Sequence, residues 1–367
     1  MTTHCPPPTA IAAACVLSLG IATPCAAQEP ALASMLPAFM DSARIPGLSI
    51  AVIRDGRVAW TGAYGHVNDT ARTPVDRQTV FAAASLSKPV FAYAVMRLAE
   101  RDAFDIDRPL AEYLPYERLE HEDSYRAMTA RHVMMHASGL RNWQEGRLDL
   151  LFAPGNGFNY SGEGFVYLQK VIEHVTGLTI EHLARREVFD PLGMTRTSYV
   201  WQEAFAGNAA TGTNEDGRPR PLPHLHQGNA AHSLLTTATD YARFVVAAMS
   251  GQGLADTTLA QMLRPHHSAH RPRNPTAGDP YVFWGLGWGL QQGTAGRALF
   301  HWGDNGAWRC YVVVYPERQT GVVYFTNSVQ GLSIVRAVVS QVVEDEHWAV
   351  DWIGYAQYNQ KQTPSRQ

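Results

Sequence analysis

At 367 residues, 46% of them hydrophobic and 17% charged, the chain carries ample apolar material for a large core, which excludes disorder as the default reading. Its formal charge of -3 is spread over 30 basic and 33 acidic residues with no long run of either sign. No electrostatic footprint for a phosphate backbone is present, so nucleic acid is not an expected partner.

Residues 1–27 contain no Asp, Glu, Lys or Arg, and 11–22 is an apolar run of twelve residues, too short to span a bilayer. With the small residues Cys25 and Ala27 ahead of Gln28, the segment reads as a secretory signal peptide, although no basic residue stands near Met1. The mature chain, 28–367, is then expected to be secreted or periplasmic, with no stable membrane span. Pro24 and Ala22 make a poor context for lipidation of Cys25. Cleavage removes Cys5, Cys15 and Cys25, and the remaining Cys310 has no disulfide partner, so the core alone must hold the fold. Cys310 lies in an apolar run, where packing is the ordinary role of a lone cysteine.

The runs 48–53 and 57–65 are rich in alternating apolar residues and are joined by Asp55-Gly56, the strongest short hairpin signal, so the mature chain is expected to open in a sheet. From Ser85 to Glu100 the pattern changes: Val90, Phe91, Ala94, Val95 and Leu98 recur at helical spacing and predict a long core-facing helix with one apolar stripe. Between about 105 and 265, Pro and Gly punctuate a mainly helical stretch whose clearest helices fall at 167–175, 180–188 and 240–249. Strands are predicted at 284–290, 298–302, 310–315 and 322–326, with a turn over 316–321 and a closing helix at 332–343. The polar tail after Tyr358 is expected to be disordered. The outline predicts an α/β fold of the α+β kind, an antiparallel sheet flanked by helices. One two-lobed unit is expected, with a helical lobe at about 105–265 and a sheet lobe from about 35–104 and 280–350.

Ser85-Leu86-Ser87-Lys88 sits where the sheet pattern gives way to the helix, which places Ser85 at or beside a helix N-terminus. Backbone N–H groups there favour developing negative charge. Lys88 lies one turn along the same face, so its amine can reach the Ser85 oxygen. Serine is a weak nucleophile until something takes its proton, and a desolvated lysine with a lowered pKa can do so. Alone, Ser-x-x-Lys arises often by chance. Its companions change the reading: Tyr160 occurs in Phe-Asn-Tyr-Ser-Gly-Glu-Gly just before a helix, and His301-Trp302-Gly303 ends a strand far downstream.

With these residues in this order, roughly 35–345 resembles the class C β-lactamase and penicillin-binding-protein superfamily, which also contains β-lactamase-like esterases and D-amino-acid peptide hydrolases. The stretch 129–140, ending in His-Ala-Ser-Gly-Leu, supports the resemblance, as do 188–194 (Val-Phe-Asp-Pro-Leu-Gly-Met) and 235–244. The resemblance implies a β-lactamase/transpeptidase-like fold and an acyl-enzyme mechanism on a small-molecule or peptide substrate. It makes Ser85 the nucleophile, Lys88 its neighbouring base and Tyr160 the proton shuttle. Which of Lys88 and Tyr160 takes the first proton stays open. By the same likeness the backbone N–H groups of Ser85 and Asp304 form the oxyanion hole, and Gly162, His301, Trp302 and Gly303 fall at substrate-binding positions.

Three of those positions depart from the β-lactamase pattern. Gly162 stands where those enzymes have Asn, and offers no side chain to an amide. His301 stands where they usually have Lys; a histidine is only partly charged near neutral pH and is expected to hold an anionic group pH-dependently. Trp302 replaces a small hydroxyl residue and is expected to narrow or cover the cleft. The departures favour an esterase or peptidase-like acyl hydrolase over a β-lactamase or DD-peptidase proper. The contrasting expectation is a non-catalytic penicillin-binding sensor module.

Other candidates have plainer readings. His132 and His136 are four apart but lack the intervening Glu and a third ligand, so no zinc site is expected. His266, His267 and His270 fall in a Pro- and Arg-containing loop. Ser138 and Ser161 lack the Gly-x-Ser-x-Gly elbow. Neither a dinucleotide fingerprint nor a phosphate loop occurs, so no cofactor is expected.

Overall fold

The computed structural model describes residues 1–2, 28–68, 72–271 and 274–359. The expected signal peptide, apart from its first two residues, and the tail from 360 onward lie outside the described residues.

The helices are α1 (Gln28–Ala43), α2 (Ser87–Ala99), α3 (Leu110–Tyr113), α4 (Ala130–Met134), α5 (Gly162–Thr176), α6 (Ile180–Ala184), α7 (Ala238–Ser250), α8 (Asp256–Leu263), α9 (Val335–Val339) and α10 (Trp348–Ile353). The strands are β1 (Gly47–Arg54), β2 (Arg57–Asn68), β3 (Thr73–Pro74), β4 (Phe81–Ala84), β5 (Gly212–Thr213), β6 (Pro219–Arg220), β7 (Leu234–Thr236), β8 (His267–Ser268), β9 (Val282–Trp284), β10 (Gly289–Gly293), β11 (Gly296–Asp304), β12 (Arg309–Tyr315) and β13 (Thr320–Thr326). Among the described residues, nine strands form one antiparallel sheet in the order β3-β2-β1-β13-β12-β11-β10-β9-β8. Because β1 pairs with β13, segments far apart in sequence build the sheet, and the chain leaves it after β3 and rejoins it at β8, with the helical stretch between. No helix among the described residues is long and apolar enough to cross a membrane.

The β1–β2 hairpin follows from its turn: Asp55 and Gly56 both have positive φ (49° and 68°), the backbone that Asp-Gly supplies to a two-residue connection. Every residue of β1 is buried, and α1 and α7 both pack on it.

Four expectations are corrected. The chain does not open in the sheet, because α1 precedes it; Leu32, Leu36, Phe39, Met40 and Ala43 recur at helical spacing and bury against the sheet and 331–339. Helix α2 has no single apolar stripe: Ser87 to Met96 are all buried, so it is enclosed rather than half-covered. The predicted strand 284–290 is two, β9 and β10, broken by Gly287 (φ 83°), whose missing Cβ makes room for Ala92 of α2. The closing helix shrinks to a 3-10 turn at Gly331–Ile334 followed by α9, with α10 beyond it.

The short β4–β7 ladder positions the site. Strand β4 packs against β11, β12 and β13, and Cys310 in β12 donates its thiol to Ala83 O at 3.2 Å. A Cβ on Gly303 would collide with Ala83 O and with the Cys310 sulfur. The glycine therefore lets β4 lie close enough to bring the residue after it, Ser85, beside the end of β11.

Candidate active site

Ser85 occupies the turn between β4 and α2, preceded by Ala84 at φ 48°, a left-handed conformation that a residue with a Cβ adopts only under constraint. The constraint is visible. Ser87 Oγ donates to Ala84 O at 2.6 Å and accepts from Leu234 N at 3.0 Å, which ties the turn to β7. The hydroxyls of Tyr199 and Tyr241 donate to Ser87 O and Leu86 O, at 2.7 and 3.0 Å.

Lys88 is fully buried. Its Nζ lies 3.1 Å from Ser85 Oγ and donates to Ala231 O at 2.7 Å. The amine faces the rings of Tyr160 and Phe165, at 4.9 and 5.7 Å from their centroids, and makes no ion pair among the described residues. Burial without a counter-charge brings it down to about 7.

Tyr160 reaches the same place from the loop before α5. Ser161 Oγ caps that helix through Gly164 N at 3.0 Å, Ser161 N donates to His136 Nδ1 at 3.1 Å, and Asn159 Nδ2 donates to Leu140 O at 2.8 Å. The phenol ring is wedged between His136 (4.2 Å between centroids) and Trp302 (5.0 Å). Its hydroxyl is buried without a hydrogen bond of normal geometry. Burial raises its pKa, and the facing Ser85 hydroxyl tempers the rise only in part. The two candidate bases are thus pushed in opposite senses: Lys88 into the neutral range, Tyr160 away from it.

These groups open onto a cleft of about 790 Å³ lined by Ser85, Tyr160, Trp302 and Asp304 among others. The oxyanion-hole candidates, Ser85 and Asp304, share this cleft. The Asp304 carboxylate is engaged elsewhere: Arg309 lies at 3.0 Å, and Tyr355 Oη and Gly306 N donate to it at 2.6 and 2.8 Å.

The remaining predicted substrate residues separate. Trp302 lines the cleft, whereas His301, Gly162 and Gly303 do not. His301 cannot hold an anionic group in the cleft as expected, because it is fully buried and desolvation, reinforced by Lys88, lowers it to about 3. Its Nδ1 lies 2.9 Å from Trp302 O, which sets that nitrogen as the protonated one. Gly162 lies under Trp143, whose ring a Cβ at 162 would strike, and Gly162 N donates to Asn142 Oδ1 at 2.9 Å. Where an amide side chain was missed in the sequence, a half-exposed indole stands instead.

Sequence reasoning passed over Asn142, Trp143 and His232, which line the cleft, and His136, which packs on Tyr160. Only His136 carried a signal, as half of a rejected metal pair. Its partner His132 accepts from Thr129 N through Nδ1, and no group of three potential ligands capable of holding a metal ion occurs among the described residues. Ser138 and Ser161 serve loop and cap hydrogen bonds, and Cys310 is a buried thiol pushed up by desolvation.

The β-lactamase family model matches residues 32–339. The chain is similar to the esterase EstB of Burkholderia gladioli, 28% identical over 71% of this chain and 78% of that one. A penicillin-binding protein of Bacillus subtilis is 22% identical over 77% of this chain and 68% of its own length. The octameric penicillin-binding protein homologue of Pyrococcus abyssi shares the fold, with a TM-score of 0.74 at 23% identity over 85% of this chain and 76% of its own. A match that runs from α1 through the Ser85 turn and β11 to α9 leaves little of the fold outside it, and the chain belongs to the β-lactamase family.

Proposed function

We propose that this protein is an exported serine hydrolase that cleaves ester or amide bonds through an acyl-enzyme at Ser85. The observation that carries the reading is the buried Lys88 amine, 3.1 Å from Ser85 Oγ, paired with no carboxylate among the described residues and lowered to about 7. The neutral amine accepts the Ser85 proton as Oγ bonds to the substrate carbonyl carbon and the carbonyl electrons move onto oxygen, where the N–H groups of Ser85 and Asp304 receive them. Collapse expels the alcohol or amine, which leaves with that proton, relayed by Tyr160. Water then attacks the acyl ester with Lys88 again as base, and the proton it takes passes to Ser85 Oγ as the acid is released, restoring the hydroxyl and the neutral amine.

The esterase named among the relatives supports ester substrates. So does the loss of a charged residue at 301, since a neutral, buried imidazole offers a β-lactam carboxylate nothing. Export rests on the uncharged, apolar composition of 1–27.

Intact-mass spectrometry with 4-nitrophenyl acetate and with benzylpenicillin tests the proposal. The expected result is turnover of the ester through a transient acetyl adduct that Ser85→Ala abolishes. A persistent penicillin adduct with no ester turnover would establish the sensor module in its place.

A further inference from the structure

With His301 buried, the cleft needs another source of selectivity, and its charges point to one. Of the charged or titratable side chains lining it, Asp304 is neutralised by Arg309 and Tyr355, and His232 is held neutral by burial and by Lys88. Arg220 is different. Its guanidinium makes no ion pair and no hydrogen bond among the described residues, although it lines the same cleft.

Arg220 is exposed, but the strand that carries it is fixed in place. Arg220 ends β6, which pairs with β5 in register Gly212↔Arg220, and Gly212 lies so close to Ala307 and Trp308 that a Cβ there would strike both. This docks the hairpin on the turn between β11 and β12. The guanidinium carbon sits 5.7 Å from the centroid of Trp308, a buried ring anchored by its own Nε1–H to Ala210 O at 2.8 Å. Arg220 Nη1 also lies 3.2 Å from where a Cβ on Gly306 would stand, two residues beyond Asp304. Leu222, Pro223 and Leu225 continue the cleft wall from this point with apolar surface. A guanidinium close to a fixed indole, with no hydrogen-bond partner of its own among the described residues, has its donors free to take a carboxylate in two parallel hydrogen bonds.

We infer that Arg220 is a specificity residue of this cleft, selecting esters or amides that carry a carboxylate separated from the scissile carbonyl by an apolar segment. The inference rests on the hydrolase reading for its substrate and on Arg220 alone for its charge preference.

Two matched ester pairs test it: mono-4-nitrophenyl glutarate against 4-nitrophenyl pentanoate, and 3-carboxyphenyl pentanoate against phenyl pentanoate. In at least one pair the anionic member is expected to have a kcat/KM about tenfold higher after correction for intrinsic reactivity, a preference that shrinks with added salt. Arg220→Met is expected to remove that preference, lowering kcat/KM for the anionic twin about tenfold more than for the neutral one, and Arg220→Lys to restore part of it. Thermal unfolding checks that both variants fold. Equal treatment of both pairs by the unmodified enzyme, or a preference that survives Arg220→Met, overturns the assignment. Binding to Ser85→Ala protein, read by tryptophan fluorescence, separates the two claims. Equal affinity for both members of both pairs there overturns the role of Arg220 whatever the turnover. Discrimination there that is lost on adding Arg220→Met, with no turnover by the intact enzyme, overturns the hydrolase reading alone.

Discussion

Replacing Lys88 by Met is expected to abolish turnover and, at neutral pH, to stabilise the fold. The Lys88 amine is fully buried and brought from 10.5 to about 7 by desolvation, which corresponds to about 5 kcal/mol between its two protonation states. In the unfolded chain the amine is charged at pH 7, so folding must either desolvate that charge or release its proton, and about 4 kcal/mol opposes folding there. Between about pH 7 and 10.5 the unfolded state binds more protons than the folded one. Stability of the unmodified protein therefore rises with pH across that window, and the penalty is greatest at and below its lower end. Methionine fills the volume of the stem but leaves Ala231 O without its 2.7 Å donor, a loss of roughly 1–3 kcal/mol. The difference is a gain of about 1–3 kcal/mol for Lys88→Met at pH 7, falling to nothing or reversing by pH 10. Urea unfolding of both proteins at the two pH values measures it, beside an expected loss of about 100-fold or more in ester turnover. A variant less stable than its parent at pH 7, by a margin that does not change with pH, would refute the picture of a lysine buried at a cost to the fold.

Three further outcomes are expected. The rate at which Ser85 is modified by a fluorophosphonate probe, which phosphonylates its hydroxyl, rises about 50-fold from pH 5 to 7 and no more than about twofold from 7 to 9, because a Lys88 near 7 is already half neutral there; a single inflexion near 10 would remove Lys88 as the resting base. Tyr160→Phe lowers kcat by about 100-fold or more with little change in KM, and because its buried hydroxyl has no hydrogen bond of normal geometry to lose, the melting temperature does not fall and rises by up to a few °C. Gly303→Ala pushes Ala83 and the Cys310 sulfur apart from β11, and is expected to cost about 1–3 kcal/mol in stability and most of the activity, although residue 303 itself does not line the cleft; full activity would show that the spacing of β4 from β11 does not set the site.

What could be read from the sequence was what local chemistry decides. Asp55-Gly56 fixes a hairpin within two residues, and strands β11 to β13 show as short apolar runs between turns, so the antiparallel sheet with flanking helices was legible. Ser85 and Lys88 were legible because one helical turn is a fixed distance. Tyr160 required family likeness, since nothing in its own loop says where that loop lies. The misreadings are places where partners far away in sequence decide. Gly285 to Gly287 breaks an apolar run because α2 packs against it, and no periodicity within 284–290 carries that information. His301 lies within β11, three residues before its end, and whether such a residue faces a cleft or a core depends on what covers the sheet. Trp143, His232 and Arg220 lie on loops or a two-residue strand that only the folded chain brings to the cleft.

The site is assembled from components that the fold would not adopt for its own sake. Among the described residues a lysine is buried without a counter-ion, a phenol hydroxyl lacks a hydrogen bond of normal geometry, and Ala84 is held at positive φ just before Ser85. Each opposes folding by one to several kcal/mol, so each must be held by contacts elsewhere. Those contacts converge on β4 and the first turn of α2: Ser87 to β7, Tyr199 and Tyr241 to the carbonyls of 87 and 86, Cys310 to Ala83, and Gly303 leaving room for Ala83 and Cys310. None of these residues needs to touch a substrate. Their effect is that Ser85 and Lys88 meet in the resting state, with no rearrangement required at the moment of reaction. On the proposed function, selectivity sits on separate ground, the β5–β6 hairpin and the loop bearing Trp143, where substitution is expected to alter what enters the cleft without disturbing the Ser85 turn.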